Sequence, residues 1–229
     1  GRQRKTEIRI FDDVDVTKVV AKNSKLYVNR EDGFIGTSLW REEYVEDCSD
    51  IDDIIVFTSN GDMIVTKVDS KKFVAKNILY VSVFKKRDSR TIYNMIYKEG
   101  KSGVSYIKRF NVTGVTRDKT YNLTSQNPKT KILHFSANPN GEAEIVTIQL
   151  RQSGSIKKLK WDLDFADLAI KGRSVKGNIV SKYSVNKVIF KEKGLSTLKP
   201  RKIWFDDTVQ RLNVDDRGDL LGEFKPDDD

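Results

Sequence analysis

The residues able to do covalent chemistry are few. The 229-residue chain holds one histidine, His134, and one cysteine, Cys48. A Ser-His-Asp or Cys-His engine would have to use His134 as its base. It sits in the alternating run Lys131-Ile132-Leu133-His134-Phe135, which reads as strand. A zinc site built on Cys and His needs about four such ligands and is excluded, as is an internal disulfide. What remains is the chemistry of lysine and arginine. Lys108-Arg109, Lys157-Lys158 with Lys160, Arg117 with Lys119, Arg173 with Lys176, and Lys85-Lys86-Arg87 are the candidate anion contacts. Arginine grips phosphate with a planar fork, and lysine meets it as a point charge.

These residues lie on a chain that reads as strands. Asp53 to Thr58 and Met63 to Val68 flank Asn60-Gly61, the strongest short hairpin signal. Ile78 to Phe84 and Thr91 to Tyr97 are expected to form a second β-rich pair. Val104 to Phe110, Ile132 to Ser136, Ile145 to Leu150, Val185 to Phe190 and Val209 to Val214 continue the pattern. Only Ser38 to Tyr44 and Asp162 to Leu168 suit a helical turn or two.

Glycine turns at Gly33, Gly103, Gly154 and Gly218 recur at spacings of 70, 51 and 64 residues. Irregular spacing fits blades with variable loops better than a tight solenoid, and four turns imply about four blades. Alternation puts Ile107 and Arg109 on one face of their strand and Tyr106, Lys108 and Phe110 on the other. At least one of the two basic residues is then expected to leave the core at a strand end or bend.

The formal net charge is +9, and it is segregated. Residues 7–69 carry 7 Lys/Arg and 15 Asp/Glu, net −8. Residues 70–202 carry 29 and 9, net +20. Residues 203–229 carry 3 and 9, net −6. A block of this size attracts a polyanion, and DNA is the natural one. No run approaches the ~20 apolar residues of a membrane span, and no basic amphipathic helix suits a membrane surface. No base-reading motif is present, so contact is expected to be backbone-directed. Regular basic-aromatic interleaving, the mark of a single-strand platform, is absent too. The acidic tail, Asp227-Asp228-Asp229, reads either as a solvated end or as a competitor with DNA for the basic residues.

Several stretches carry a family resemblance. Gly103-Val104-Ser105-Tyr106-Ile107-Lys108-Arg109-Phe110 resembles the G-x-x-K-R strand in the C-terminal domain of the A subunit of bacterial type IIA topoisomerases. The hairpin from Ile55 to Ile64 is similar to that family's F-T-x-x-G blade hairpin. Gly172-Arg173-Ser174-Val175-Lys176-Gly177-Asn178 resembles its basic glycine loop, and Arg109 to Lys119 is also similar. The resemblance runs from about Leu26 to Phe224. It implies an all-β fold, a β-pinwheel of about four strand-exchanged blades, spanning residues 8–224. Residues 1–7 would be a linker or expression remnant and 225–229 an acidic tail.

The resemblance also implies a function. A basic rim of Lys85, Lys86, Arg87, Lys108, Arg109, Arg117, Lys119, Lys157, Lys158, Lys160, Arg173 and Lys176 would bind and bend or wrap duplex DNA. It would present DNA to the topoisomerase core and bias topology preference. The gyrase box Q-R-R-G-G-K-G is missing, and Trp40 to Asp47 is acidic where the box would stand, which favours topoisomerase IV over gyrase. Partners would be duplex DNA, the ATPase subunit of the enzyme and the remainder of the A subunit, in a bacterial cytoplasm at the nucleoid. The fragment would catalyse nothing and hold no cofactor, with Mg and ATP used elsewhere in the holoenzyme. Tyr106 and Tyr121 read as packing residues, since the catalytic tyrosine would belong to a preceding core. The alternatives are a protein-interaction propeller whose basic rim meets an acidic partner, and a propeller hydrolase.

Overall fold

A computed structural model describes residues 23–199, with Gln126 and Ser155 excepted. The order of pairing is the main feature. The hairpin β1 (Ser24–Asn29) and β2 (Phe34–Gly36) opens blade 1, and β3 (Glu43–Cys48) pairs with β1. The hairpin β4 (Asp53–Thr58) and β5 (Asp62–Lys67) opens blade 2. The chain then steps back, and β6 (Lys72–Phe73) joins β2 of blade 1 before β7 (Ile78–Phe84) pairs with β4.

The same cycle repeats twice. The hairpin β8 (Ile92–Lys98) and β9 (Ser105–Asn111) opens blade 3; β10 (Thr120–Asn122) returns to β5, and β11 (Lys131–Asn138) pairs with β8. The hairpin β12 (Glu142–Leu150) and β13 (Lys160–Asp164) opens blade 4. From there β14 (Ile170–Gly172) and β15 (Asn178–Ser181) return to β9, and β16 (Val185–Ser196) pairs with β12. Blades 1, 2 and 3 therefore each borrow a strand from the chain that follows the next hairpin. This is strand exchange, and the fold is an all-β pinwheel with four sheets among the described residues.

Burial follows from stacking the blades. Leu26, Val28, Ile35 and Cys48 meet Ile54, Val56, Ile78 and Val81 between blades 1 and 2. Ile55, Phe57, Met63 and Val65 meet Tyr93, Met95, Tyr97, Tyr106 and Phe110 between blades 2 and 3. Ile96 and Ile107 meet Val146, Ile148, Leu150 and Phe165 between blades 3 and 4. The middle strands are covered on both faces. All six residues of β4 are buried, as are the first six of β8 and of β9. Such strands lose the in-out alternation of a half-exposed sheet and read as continuous runs, as in Ile54-Ile55-Val56-Phe57.

Several expectations change. Ile78 to Phe84 and Thr91 to Tyr97 do not pair with each other, because they serve β4 of blade 2 and β9 and β11 of blade 3. Gly33, Gly103 and Gly154 lie in the opening hairpins of blades 1, 3 and 4, but blade 2 is marked by Gly61. The expected fourth turn at Gly218, the strand from Val209 to Val214, the domain limits at 8 and 224 and the acidic tail lie outside the described residues. Ser38 to Tyr44 forms no helix, since β3 begins at Glu43. Within Asp162 to Leu168 a single 3-10 turn, Phe165–Asp167, forms, its start capped by the Asp164 carboxylate accepting from the Ala166 N–H.

Gly33 shows how tightly the blades interlock. It sits at φ +82°, and a Cβ there would overlap the Ala75 carbonyl on the segment that follows the borrowed strand β6. Gly33→Ala is expected to cost at least ~2 kcal/mol, from left-handed backbone and forced displacement together. For a domain of this size that lowers the melting temperature by roughly 4–8 °C, read by circular dichroism.

Candidate nucleic-acid interface

β9 carries Lys108 and Arg109, and neither reaches the surface: Lys108 is 4% and Arg109 1% exposed. The Lys108 Nζ donates to the Leu123 carbonyl (2.5 Å), the Arg173 carbonyl (2.6 Å) and the Val175 carbonyl (3.0 Å), and lies 4.8 Å from the Phe110 ring centroid. Burial pushes its pKa down to about 8, so the ammonium is still the major form at neutral pH and its three protons have three acceptors. Arg109, on the opposite face, donates to Asn94 Oδ1 (3.2 Å) and to the Gly141 (2.6 Å) and Glu142 (3.3 Å) carbonyls. The expectation that one of them leaves the core at a strand end is corrected. β9 has a blade on each side, so each side chain is spent on a neighbour.

Beside Arg109 lies a second buried polar pair, His134 and Glu144, 2.9 Å apart. Burial alone would raise the Glu144 carboxyl. The hydrogen bond with His134 and the neighbouring polar side chains outweigh it and hold the group below its ordinary value. His134 thus belongs to the packing between blades 3 and 4. Among the described residues no three His, Cys, Asp or Glu side chains gather as a metal site.

The surface basic residues fall into two groups. The first surrounds Tyr121 on β10. The Arg173 guanidinium lies 4.4 Å and the Lys119 ammonium 5.4 Å from the Tyr121 ring centroid. Arg173 Nη1 donates to the Gly114 carbonyl (2.6 Å), and the Arg87 N–H donates to the Thr113 carbonyl (3.2 Å). These bonds bring the Lys85-Lys86-Arg87 turn, the 113–119 loop and the Gly172 to Gly177 loop together. Lys85, Lys86, Arg87 and Lys119 are exposed. Lys176 closes the other end of that loop, 3.2 Å from Glu99 and 4.5 Å from the Tyr106 ring centroid. The interior and the surface are linked here: Lys108 holds the carbonyls of Arg173 and Val175, and so fixes the loop that presents Arg173 and Lys176.

The second group is Lys157 and Lys158 in the β12–β13 loop, with Lys182 between β15 and β16. Lys160 is exposed on β13. Arg117 is committed elsewhere, to Asp53 at 2.7 Å. Sequence reasoning missed Lys182, because nothing in the spacing relates residue 182 to residue 157. It also missed that Tyr121 serves as the platform under Arg173.

The arrangement is thus a strand-exchanged all-β domain that presents clustered lysines and arginines on its surface. The family model for the topoisomerase C-terminal domain of Bacteroidota matches residues 25–193, and the chain belongs to that topoisomerase C-terminal domain family. The A subunit of DNA topoisomerase 4 from Borreliella burgdorferi is 30% identical over 190 residues, covering 82% of this chain. The chain spans 28% of that relative's length. A crystal structure of the C-terminal domain of DNA topoisomerase IV matches with a TM-score of 0.45 and 11% identity, covering 74% of this chain and 62% of that one.

The buried ions make two predictions. Lys108→Met leaves three carbonyls without a donor and is expected to cost roughly 2–3 kcal/mol in urea unfolding. Glu99 is nearly buried and accepts from Ser102 Oγ and from Asn127 Nδ2 (3.0 Å). The Ser102 hydroxyl foremost, then Ser125 and Lys176, pull its pKa from 4.5 to about 2. A depressed carboxyl stabilises fully above about pH 4.5, and that stabilisation is lost as pH falls toward 2. The melting-temperature gap between the natural protein and Glu99→Gln should therefore narrow steadily below pH 4.5. A gap that stays constant down to pH 2.5 would show that Glu99 does not act this way.

Proposed function

We propose that this domain binds duplex DNA along the exposed basic residues of blades 3 and 4 and bends or wraps it, as part of a topoisomerase IV-type A subunit. In that role it catalyses nothing itself. It presents DNA segments to the topoisomerase core and biases the choice of topology. Strand passage, with Mg and ATP, falls to the ATPase subunit together with the rest of the A subunit, in the bacterial cytoplasm. The observation that carries this reading is the cluster around Tyr121. Lys85, Lys86, Arg87 and Lys119 hold no ion pair among the described residues, and their loops are tied together by hydrogen bonds to backbone carbonyls, from the Arg87 N–H, the Arg173 guanidinium and buried Lys108.

The interface differs from the one expected from spacing. Lys108 and Arg109 leave the contact set, since a buried ammonium or guanidinium cannot meet phosphate. Lys85, Lys86, Arg87, Lys119, Arg173 and Lys176 stand as one group, with Lys157, Lys158, Lys160 and Lys182 as a second. Arg117 and Lys176 each share their charge with a carboxylate, which weakens their pull on phosphate. Contact of this kind is phosphate-directed, and bending energy supplies whatever sequence preference exists.

Electrophoretic shift of a duplex across a salt series tests the reading. The logarithm of the affinity should fall linearly with log salt, with a slope of about −0.9 per phosphate contact. Reversing Lys85, Lys86, Lys119, Lys157 and Lys158 to Glu should weaken binding by roughly a hundredfold or more and flatten the slope. Lys191→Ala, which removes a lysine already paired with Asp162 at 2.7 Å, should change little. A flat salt response, or unchanged binding by the reversed protein, would reject DNA and favour an acidic protein partner. Energy transfer between dyes at the duplex ends reads the bend separately.

A further inference from the structure

Beside blade 4 lies an open hollow of about 730 Å³. Leu150, Ile156, Trp161, Val180 and Tyr183 supply its apolar lining, and Lys157, Lys158 and Lys182 its charge. Its size falls within the range of small-ligand sites. Trp161 comes from β13, Tyr183 from the link between β15 and β16, so only the fold brings them to one place.

Two properties coincide in this hollow. Its rings are unclaimed. Several other tyrosines are engaged: Tyr97 stacks on Tyr106, Lys176 lies over Tyr106, and Arg173 over Tyr121. Among the described residues Trp161 and Tyr183 have no ring or cation stacked on them, and Tyr183 is 59% exposed. Its charges are unclaimed too. Lys72, Lys176 and Lys191 each have a carboxylate within 3.2 Å, whereas Lys157, Lys158 and Lys182 have neither an ion pair nor a side-chain hydrogen bond among the described residues.

Two unstacked aromatic rings among three uncompensated ammoniums fit a ligand that is flat and apolar on its faces and anionic at its edge. A nucleotide has that form. An acidic peptide brings the charge but no obligatory planar face. In an intact duplex every base face is covered by its neighbours, so the ligand must be a base outside the stack. We propose that this hollow receives an unpaired base of bound DNA, with Trp161 and Tyr183 stacking on the base and Lys157, Lys158 and Lys182 holding the flanking phosphates. The proposal rests on the DNA-binding reading and sharpens it. Extrusion is least costly where a base is already unpaired, and stacking is blind to base identity because every base has a π-face. A base held out of the stack also marks where the duplex kinks.

The test uses the whole chain and two labelled 30-base-pair duplexes, one perfect and one with a single extra 2-aminopurine. The duplex with the extra base should bind about tenfold more tightly, the order one stacked base contributes, and the 2-aminopurine emission should be quenched on binding. Trp161→Ala with Tyr183→Ala should remove both the preference and the quench, while affinity for the perfect duplex stays within twofold. Trp161 also packs toward the core between blades 3 and 4, so Tyr183→Ala alone, at an exposed position, is the variant that keeps the fold, and it should remove most of the preference. Equal affinity for the two duplexes, or a preference that survives Tyr183→Ala and the double substitution, overturns the proposal. Displacement of the 2-aminopurine duplex by a Glu-rich peptide carrying one Phe, as effective as by unlabelled duplex with an extra base, overturns it in favour of a peptide site. Failure of the perfect duplex to bind at all overturns the DNA reading beneath it.

Discussion

A strand covered on both faces has no solvent side on which to place a charge. β9 is such a strand, and it carries Lys108 and Arg109 side by side. Alternation sends them to opposite faces, and each face is an interface with another blade. An unpaired ion there would be severely destabilising. The protein meets the constraint with backbone carbonyls, the one acceptor that exchanged strands supply wherever they turn or end. Lys108 collects three of them from Leu123, Arg173 and Val175, and Arg109 collects Gly141 and Glu142. The residues accepting Lys108 follow strands that blade 3 lends to blade 2 and that blade 4 lends to blade 3. The residues accepting Arg109 lie in the turn into β12. One dipeptide thus ties the successive blades together.

The same constraint explains what was legible in the sequence. Strand content was legible because β-branched and aromatic runs survive double burial. The Asn60-Gly61 hairpin was legible because its turn chemistry is local. Partner choice was not. β7 and β8 are neighbours in sequence and belong to different blades, because each blade waits for a strand that arrives after the next hairpin. Sequence proximity misleads in an exchanged fold. Gly61 was passed over as a blade marker for a related reason. A basic pair, Lys108-Arg109, follows Gly103, whereas at the matching place after Gly61 the chain reads Thr66-Lys67, with one basic residue only.

The interface was legible as a charge block and not as a set of residues. Alternation separates the two faces of a strand, but it cannot say that both faces are interior. Lys108-Arg109 and Lys157-Lys158 look equivalent after their glycines. The first pair lies within a strand and is buried. The second lies in the β12–β13 loop and is exposed. The glycine loop from Gly172 to Gly177 was legible as a basic loop, and its dependence on Lys108 was not, since 65 residues separate Lys108 from Arg173.

Pairing sorts the surface charges further. Carboxylates hold Lys72, Arg117, Lys176 and Lys191, and those ion pairs keep strands and loops in place. Lysines without such partners stand on the turn before blade 3, on the 113–119 loop and on blade 4, whereas the exposed side chains Glu42 and Asp47 give blade 1 an acidic surface. On the DNA-binding reading this split orients the domain. A polyanion is drawn to blades 3 and 4 and turned away from blade 1, and with a screening length of about 8 Å at physiological salt only nearby charges shape its path. Bound DNA then follows an arc. An arc leaves both ends of the duplex free to run on toward other parts of a larger assembly, which a complete circuit of basic blades would not.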